Sequence, residues 1–278
     1  MPPFIFFMNK ISQLLKADKK PLIMGVLNLT PDSFSDGGKY NQLKAALKHV
    51  EDMIEDGADI IDIGAESSRP GAEVISVNDE RDRLESILKE IKKYFNVPIS
   101  IDTYKPEIMR LSIDYGADMI NDIYALQKPG AIEVISNSNV LVCLMHMQNS
   151  PQNMQNSPSY KNIATEVESF FESRVSECNK AGINNQRIML DLGFGFGKTF
   201  THNIDLFKKI NHFTKLSFPI LIGVSRKSMV KEMVGDGENA IIQASVLLAS
   251  LATQQGARIL RVHDIKETYN AISVLQAL

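Results

Sequence analysis

Short apolar runs alternate with amphipathic stretches along almost the whole chain. Each run has the length of a strand that is buried on both faces. Eight such runs occur, at residues 22–27, 60–64, 97–102, 119–122, 140–146, 187–191, 218–224 and 259–263. The pattern therefore predicts eight buried strands.

The stretches between these runs carry apolar residues at helical spacing. In residues 42–56, one stripe is formed by Leu43, Ala46, Leu47, Val50 and Ile54. The periodicity continues in residues 79–94, 106–115, 131–136, 163–181, 203–213, 239–255 and 265–278. Eight strands that are each followed by a helix predict a single α/β domain with the (β/α)8 TIM-barrel fold, and an open doubly wound sheet is the alternative.

The domain assignment follows from this alternation. Residues 1–21 are assigned to an N-terminal extension and residues 22–278 to the barrel. Residues 148–160 are rich in Asn, Gln, Ser and Pro, and this composition predicts a long mobile loop.

Polar residues stand where almost every predicted strand ends. The carboxyl ends of the strands of a barrel share one face, and such enzymes work there. A single acidic residue at this place is often the N-cap of the next helix, but caps do not explain eight positions in register. The polar residues at these ends are Asn28, Asp62, Glu66, Asp102, Asn121, Asp122, His146, Asp191, Ser225, Arg226, Lys227, Arg261, His263 and Asp264.

The overall composition narrows the class of protein. The chain has 278 residues and a formal net charge of −3, which gives no indication of a nucleic-acid partner. Its two cysteines, Cys143 and Cys178, lack the spacing of metal ligands and indicate a reducing compartment. Neither a signal peptide nor an apolar run of roughly 20 residues is present. We therefore expect a cytoplasmic enzyme that has no membrane partner.

Basic residues near the strand ends indicate a binding site for an anion. Positive charge and hydrogen-bond donors of this kind suit a phosphate or a pyrophosphate. They are supplied by Arg69, Arg226, Lys227, Arg261 and His263. Asn28 offers a neutral oxygen near the anion, which suits Mg²⁺ that is held mainly by substrate and water.

A second group of residues suits a flat heterocycle. Asp102, Asn121 and Asp191 present acceptors and a donor for a ring edge with several N–H groups. Apolar walls for such a ring are available in Ile123, Met145 and Phe196.

Two loop motifs follow predicted strands. NLTPDSFSDGG, residues 28–38, is rich in turn formers around Phe34 and predicts a ligand-binding loop. We expect this loop to be mobile without ligand. GFGFGK, residues 193–198, lacks the spacing of a phosphate-binding P-loop, so a nucleoside triphosphate site is excluded.

Eight motifs together resemble those of the dihydropteroate synthase family. They are NLTPDSFSDGG (28–38), IGAESSRPGA (63–72), SIDTYKP (100–106), INDIYAL (120–126), LMHMQ (144–148), LDLGFGFGKTFTHN (190–203), GVSRKS (223–228) and RVHD (261–264). The resemblance implies a TIM barrel that usually forms a homodimer. It also implies a transferase of folate biosynthesis, which condenses 6-hydroxymethyl-7,8-dihydropterin pyrophosphate with 4-aminobenzoate. The products are 7,8-dihydropteroate and pyrophosphate, and sulfonamides imitate the aminobenzoate.

The resemblance assigns the candidate residues to three parts of one site. The pterin part comprises Asp102, Asn121, Ile123, Met145, Asp191, Phe196 and Lys227. The pyrophosphate part comprises Asn28, Ser67, Ser68, Arg261 and His263, and Asn28 is also the magnesium ligand. The 4-aminobenzoate part comprises Phe34, Arg69, Pro70, Phe196 and Ser228. The catalytic residues are Asp102, Lys227, Arg261 and His263, and pyrophosphate leaves before the amine attacks.

The chain departs from the family pattern in a few places. Leu192 replaces a usual Pro, Ser68 a Thr, and Ala65 and Asn149 usual glycines. None of these changes removes a group that the reaction needs. Two alternatives remain, a pterin-binding methyltransferase domain and a non-catalytic paralogue. The first is expected to lack SRKS, RVHD and the strand-one loop, and the second to have lost loops or basic residues.

Overall fold

The computed structural model describes residues 9–17, 20–29, 39–68 and 71–278. Within them, eight parallel strands close into a barrel in which neighbours follow chain order and the eighth strand pairs with the first. The strands are β1 (Leu22–Asn28), β2 (Ile60–Gly64), β3 (Ile99–Asp102), β4 (Met119–Asp122), β5 (Leu141–Met145), β6 (Ile188–Asp191), β7 (Ile220–Ile222) and β8 (Ile259–Val262). The predicted TIM barrel is confirmed, and the open doubly wound sheet is excluded.

The helices follow the strands in the order that the apolar periodicity predicts. They are α1 (Lys10–Ala17), α2 (Lys39–Glu55), α3 (Val77–Tyr94), α4 (Pro106–Asp114), α5 (Ala131–Ser136), α6 (Ile163–Lys180), α7 (Phe200–Phe207), α8 (Ile210–Phe213), α9 (Ser228–Val234), α10 (Glu238–Gln254) and α11 (Ile265–Ala277). Short 3₁₀ turns lie at Asn185–Arg187 and Thr214–Leu216.

Within residues 22–278, the helical segments differ from the prediction in two places. The single helix predicted at residues 203–213 is wrong, because α7 ends and α8 begins around Lys209, whose φ of −110° and ψ of 9° are not helical. Leu206, Ile210 and Phe213 are all fully buried, so the apolar period runs through the break. Helix α9 was not predicted, since its only buried residues, Met229 and Val230, are adjacent and form no stripe at helical spacing.

Helix α1 lies in the segment assigned to the N-terminal extension and packs on the amino-terminal end of the barrel. Ile11 is fully buried in the cluster that fills the barrel interior. Asn9 donates to the carbonyl of Asp118 at 2.7 Å, and Arg258 donates to the carbonyl of Leu15 at 2.6 Å. The helix therefore closes the end of the barrel opposite the predicted site.

The barrel interior is apolar except towards its carboxyl-terminal mouth. Its apolar layers consist of Leu22, Met24, Ile60, Met119, Leu141, Cys143, Met189, Leu221 and Ile259. Alternate residues on the same strands, such as Ile61 and Ile101, pack outward under the helices. This alternation decides which polar side chains reach the mouth.

The segment at residues 148–160 forms turns and is anchored at both ends. The side-chain amide of Gln148 pairs with the backbone of Ser159 at 3.0 and 3.1 Å. Met154 is buried, and Gln155 donates to the carbonyl of Gly195 at 2.7 Å. The predicted loop is thus confirmed, whereas its mobility stays a prediction. Throughout the described ranges, no helix combines the length and the hydropathy that a membrane crossing requires.

Candidate active site

Side-chain alternation brings one set of polar residues into the mouth of the barrel. Asp62 lies two residues after the interior Ile60, Asn121 two after Met119, and Arg261 two after Ile259. The same alternation directs three more inward, and these are Asn28, Asp102 and Asp191. The sequence prediction that the strand ends build one polar site holds for this set.

Polar strand ends on the opposite face have other partners. Asp122 accepts hydrogen bonds from the backbone N–H groups of Tyr124 and Leu126, both at 2.8 Å, and so caps a turn. Asp264 binds the guanidinium of Arg226 through both carboxylate oxygens. The expectation that all strand-end polar residues enter one site is therefore wrong for these three residues, and Arg226 is an ion-pair partner of Asp264. It is also wrong for Glu66 and His146, whose side chains bond to the buried ammonium groups of Lys105 and Lys198.

Arg261 joins two strands across the floor of the mouth. Its Nε donates to Asp62 Oδ2 at 2.7 Å, and its Nη2 donates to Asp102 Oδ2 at 3.0 Å. The Asp62 side chain is fully buried, and those of Asp102 and Arg261 are 14% and 20% exposed. One guanidinium thus balances two carboxylates, and its Nη1 has no hydrogen-bond partner among the described residues. That donor is left for a bound anion.

The charged groups of this cluster shift each other's pKa values. Desolvation, opposed by Arg261 and strengthened by the negative charge of Asp62, raises the pKa of Asp102 to about 7. The two carboxylates keep the pKa of Arg261 above its ordinary value despite burial. Asp102 therefore titrates close to neutral pH, whereas Arg261 stays charged.

Several buried polar atoms near Asp62 have no partner within the described chain. They are Asp62 Oδ1, Asn121 Oδ1 and Ser100 Oγ. The Asn121 amide lies 3.5 Å from Asp62 Oδ2, which is the limit of a hydrogen bond. Buried polar atoms are costly unless they are bonded, so these atoms mark where the donors of a ligand or of water belong.

Asp191 ends β6 and connects the mouth to the glycine-rich loop. Its Oδ1 accepts the N–H of Gly193 at 2.8 Å. Desolvation raises the pKa of Asp191, and the positive charge of Lys227 opposes this rise. Asp191 and Lys227 therefore attract each other at the edge of the mouth without a direct hydrogen bond between them.

The glycine-rich loop, residues 193–198, is held from inside by its own lysine. The ammonium of Lys198 is buried and donates to the carbonyls of Gly193 at 2.8 Å, Phe196 at 3.0 Å and His146 at 3.2 Å. Gly193 has a φ of 66°, and a Cβ there would lie 1.9 Å from the His146 carbonyl oxygen. The lysine and the glycine thus serve the packing of this loop against β5, in agreement with the rejection of a P-loop.

Lys227 and Phe196 stack beside the mouth. The Lys227 ammonium lies 4.7 Å from the centroid of the Phe196 ring and donates to the carbonyl of Phe194. Desolvation and the charge of Arg261 lower the pKa of Lys227 to about 8, although Asp191 favours the charged form. Lys227 is half-buried, and its pKa of about 8 distinguishes it from a solvated surface lysine.

His263 lies on the outer rim of the mouth beside Ser225. Its Nδ1 is 3.1 Å from Ser225 Oγ, which also accepts the backbone N–H of His263 at 3.2 Å. Desolvation and the positive charges of Arg261 and Arg226 lower the pKa of His263 to about 4. The residue as a whole is exposed, which weakens the first of these effects. The imidazole is therefore neutral at pH 7.

The remaining predicted residues are placed around the same mouth. Ile123 and Met145 are buried, and Asn28 is half-buried at the end of β1. Ser67 and Ser68 line a cavity of about 10 Å³ together with Asp102. Ser228 is exposed at the first residue of α9. Phe34, Arg69 and Pro70 lie outside the described residues.

The described side chains of the mouth offer only part of the coordination shell that a metal ion needs. Across residues 9–17, 20–29, 39–68 and 71–278, no group of three or more His, Cys, Asp or Glu side chains is arranged to hold a metal ion. Asn28 Oδ1 and the carboxylate of Asp102 both lie within 4 Å of the position that a Cβ on Gly64 would take. A neutral oxygen at this place fits a hard cation whose other ligands are phosphate oxygens and water.

Sequence reasoning missed some residues that organise the site. Asp62 was recognised as a polar strand end but received no role, although its spacing from Ile60 places it inside the barrel. Lys198 looked like part of a phosphate loop, and only its contacts show that it binds carbonyl groups. Lys105 carried no signal, because its partners Glu66 and Glu80 are distant in sequence.

Comparison with known proteins places this geometry in a family. The family model described as pterin binding enzyme matches residues 24–263. The dihydropteroate synthase of Escherichia coli K12 is 46% identical over 92% of this chain and 91% of its own length. A solved structure of the Yersinia pestis dihydropteroate synthase with a sulfonamide drug complex is 44% identical and covers 94% of this chain and 95% of the other, with a TM-score of 0.89.

A further solved structure is similar to this chain in both sequence and fold. The Xanthomonas albilineans dihydropteroate synthase with 4-aminobenzoic acid is 40% identical over 93% of each chain, with a TM-score of 0.87. Identity at this level extends over nearly the whole length of a closed barrel whose strand ends carry polar residues. The chain belongs to the pterin-binding enzymes and, among them, to the dihydropteroate synthases, the transferases that form dihydropteroate in folate biosynthesis.

Proposed function

We propose that the mouth of this barrel joins 6-hydroxymethyl-7,8-dihydropterin pyrophosphate to 4-aminobenzoate and that the inward-facing residues carry the reaction. The observation that carries the proposal is the convergence of Asp102, Asn121 and Asp191 with Arg261 and Lys227 at the carboxyl ends of the strands. Carboxylates and an amide in one half-buried pocket suit the N–H groups of a pterin edge, whereas the two cations suit a negatively charged leaving group.

The pterin end of the pocket is built from groups that lack partners of their own. Asn121 Oδ1 and Asp62 Oδ1 are buried acceptors, and Asp191 keeps one carboxylate oxygen beyond its bond to Gly193. Ile123, Met145 and Phe196 supply apolar surface for the two faces of the ring. A ring whose N–H groups donate to these acceptors supplies the hydrogen bonds that the buried atoms lack.

The anion end is assigned to Asn28, Ser67, Ser68, Arg261 and His263. Arg261 contributes the permanent charge, and the neutral imidazole of His263 contributes a hydrogen bond. Asn28 would hold Mg²⁺ together with pyrophosphate oxygens, and the bound cation would neutralise charge that develops on the leaving group. The chain itself orients the leaving group through Arg261 and the two serine hydroxyl groups.

The proposed reaction is a substitution at the methylene carbon of the pterin. The C–O bond breaks first, and its electron pair leaves with pyrophosphate, which Arg261 and His263 stabilise. The positive charge that remains on the pterin is stabilised by the carboxylate of Asp102. The amine nitrogen of 4-aminobenzoate then forms the C–N bond and releases one proton. No nucleophilic side chain is needed.

The site for 4-aminobenzoate is assigned to the loops after β1, β2, β6 and β7. Phe196 and Ser228 flank Lys227 and supply its described part. Phe34, Arg69 and Pro70 complete the assignment. Closure of the first two loops would exclude the water that otherwise traps the cationic pterin.

A turnover assay tests the proposed function directly. The purified chain is incubated with pterin pyrophosphate, 4-aminobenzoate and Mg²⁺, and dihydropteroate and pyrophosphate are measured separately. Equal amounts of both products are expected, and EDTA should abolish the signal until Mg²⁺ is restored. Pyrophosphate binding without turnover would instead support a non-catalytic paralogue. Methyl transfer would support a methyltransferase domain, although SRKS and RVHD are both present.

The two titrating groups of the pocket predict a bell-shaped pH profile. Asp102 must be ionised to stabilise a cation, and its pKa is raised to about 7, so kcat/KM for pterin pyrophosphate should fall as the pH drops below 7. Lys227 must be protonated, and its pKa is lowered to about 8, so kcat/KM should also fall above 8. Residual activity of Asp102→Asn should lack the acidic limb. A profile that stays flat across this range would contradict both assignments.

We also propose that two copies of the chain form a homodimer through α10 and α11. Leu247 and Leu251 lie one turn apart on α10 and are 59% and 40% exposed, and Val274 on the adjacent α11 is 61% exposed. The double variant Leu247→Glu/Leu251→Glu should shift the mass measured by light scattering from dimer to monomer. Leu278→Glu, at the exposed end of the chain, is the control and should leave the mass unchanged.

We propose a cytoplasmic location on the basis of the thiols. Cys143 and Cys178 are both buried and unpaired. Burial raises the pKa of both thiols, so neither is a reactive thiolate. Unpaired cysteines of this kind are typical of a reducing compartment.

A further inference from the structure

A buried lysine outside the mouth joins both ends of the segment between β2 and α3. Lys105 comes directly before α4, and its ammonium has three donors. It donates to Glu66 Oε2 at 2.6 Å, to the carbonyl of Ile75 at 2.7 Å and to Glu80 Oε2 at 2.7 Å. Glu66 follows β2 closely, and Ile75 precedes α3 closely. A single ammonium therefore connects the two ends of this segment to the core.

Further hydrogen bonds make the junction rigid. The backbone N–H of Ile75 donates to Glu66 Oε2 at 3.0 Å, so the two ends also bond to each other directly. The Tyr104 hydroxyl donates to Glu66 Oε1 at 2.7 Å. We refer to Glu66, Ile75, Glu80 and Lys105 together as the loop clamp.

The charges of the loop clamp are shielded from water. The side chains of Lys105 and Glu66 are 9% and 11% exposed, and that of Glu80 is 1% exposed. Ion pairs in such surroundings hold a defined geometry, because separating them would leave an unpaired charge in a poorly solvated place. Exposed pairs, such as Lys48 with Glu51, do not constrain their side chains in this way.

The loop clamp lies next to the reacting centre. Ser67 and Ser68 follow Glu66 directly and line a cavity of about 10 Å³ with Asp102, Glu66 and Glu80. Farther along the segment, the N–H of Gly71 donates to the carbonyl of Pro151 at 3.2 Å. The clamp therefore fixes where this segment leaves and re-enters the core, within one small cavity of the carboxylate proposed to stabilise the cation.

We propose that Lys105 is a positioning residue that fixes both ends of the β2–α3 loop so that the loop captures 4-aminobenzoate and excludes water from the pterin cation. This inference rests on the proposed function. Lys105 does not touch substrate, so its loss should leave pterin pyrophosphate binding intact. The effect should instead fall on the second substrate and on the fraction of cation that is trapped by water.

The test compares three variants of the full-length chain. Lys105→Met removes the ammonium, and Glu66→Gln removes one charge while keeping a side chain of the same shape. Glu85→Gln is the matched control, because Glu85 also binds a lysine and a tyrosine hydroxyl, those of Lys89 and Tyr115, but lies on α3 outside the loop clamp. For each variant, the Kd of pterin pyrophosphate with Mg²⁺ is measured by calorimetry, and both products are quantified during turnover.

The expected result is a selective loss. Lys105→Met and Glu66→Gln should raise the KM for 4-aminobenzoate at least about tenfold while the Kd of pterin pyrophosphate changes less than about twofold. The ratio of pyrophosphate released to dihydropteroate formed should rise from near one to at least about three. Glu85→Gln should leave both quantities near their wild-type values. Equal effects of Glu66→Gln and Glu85→Gln, or an unchanged product ratio, would overturn the proposal.

Hydrogen exchange separates this inference from the proposed function. Amide exchange in residues 66–76 should accelerate in Glu66→Gln relative to Glu85→Gln, and this measurement does not depend on turnover. If the wild-type chain forms no dihydropteroate, the proposed function fails while the exchange result still tests the clamp. If turnover is normal and exchange is unchanged in Lys105→Met and Glu66→Gln, the proposed positioning role of Lys105 is wrong.

Discussion

Replacing Arg261 by Met is expected to abolish activity and to lower the free energy of unfolding by about 3–5 kcal/mol at neutral pH. The guanidinium balances the carboxylates of Asp62 and Asp102 at 2.7 and 3.0 Å. Without it, two carboxylates remain side by side, and that of Asp62 is fully buried. Activity should fall as well, because Arg261 is the permanent positive charge assigned to the leaving pyrophosphate.

The pH dependence of this loss can be derived from the direction of the pKa shifts. Removing Arg261 leaves desolvation and the negative charge of Asp62 to raise the pKa of Asp102 without opposition. A carboxyl whose pKa is raised in the folded state stabilises the fold below its unfolded pKa and loses that contribution as the pH rises through the folded pKa. Arg261→Met should therefore be much less destabilised at about pH 5.5 than at about pH 8.5.

Denaturant unfolding at both pH values provides the measurement. Arg187→Met is the matched control, since Arg187 donates to the carbonyls of Ile135 and Val140 and no carboxylate is released. The double variant Arg261→Met/Asp62→Asn should recover part of the stability but none of the activity. If Arg261→Met is equally destabilised at both pH values, the charge balance is not the cause.

The architecture was predictable because each of its elements has a local signal. Strands β2 and β4 were predicted with their observed bounds, since Ile60–Gly64 and Met119–Asp122 are apolar runs between polar turns. The break at Lys209 was not predictable, because the apolar period continues through it. Helix α9 was likewise not predictable, because its two buried residues, Met229 and Val230, are adjacent and show no helical period.

The site was predictable only in part. Strand ends indicated which residues lie at the mouth, and alternation along each strand separates inward-facing Asp102 from outward-facing Asp122. The partners of Lys105 and Lys198 could not be predicted, since a buried lysine is recognised by three-dimensional contacts and not by its sequence neighbours. The sequence thus indicates the groups that face the substrate better than those that hold them in place.

Replacing Lys227 by Ala is expected to lower kcat/KM, and the loss should correspond to roughly two to four kcal/mol of transition-state stabilisation. The fold should be retained. The Lys227 ammonium is bound to one carbonyl and stacked on Phe196, and no carboxylate forms a hydrogen bond with it in the described structure. Its removal should therefore cost about 1 kcal/mol of stability or less. Lys231→Ala, one turn further along α9 and exposed, is the control and should remain fully active.

The pH profile of the Lys227 variants distinguishes an electrostatic role from a packing role. Lys227→Met keeps the aliphatic stem on Phe196 but carries no charge. If the charge matters, Lys227→Met should be as impaired as Lys227→Ala, and both should lose the alkaline limb near pH 8 while keeping the acidic limb of Asp102 near pH 7. If only the stem matters, Lys227→Met should retain near wild-type kcat/KM. Near wild-type activity in both variants, or an alkaline limb that persists in them, would eliminate Lys227 from the catalytic residues.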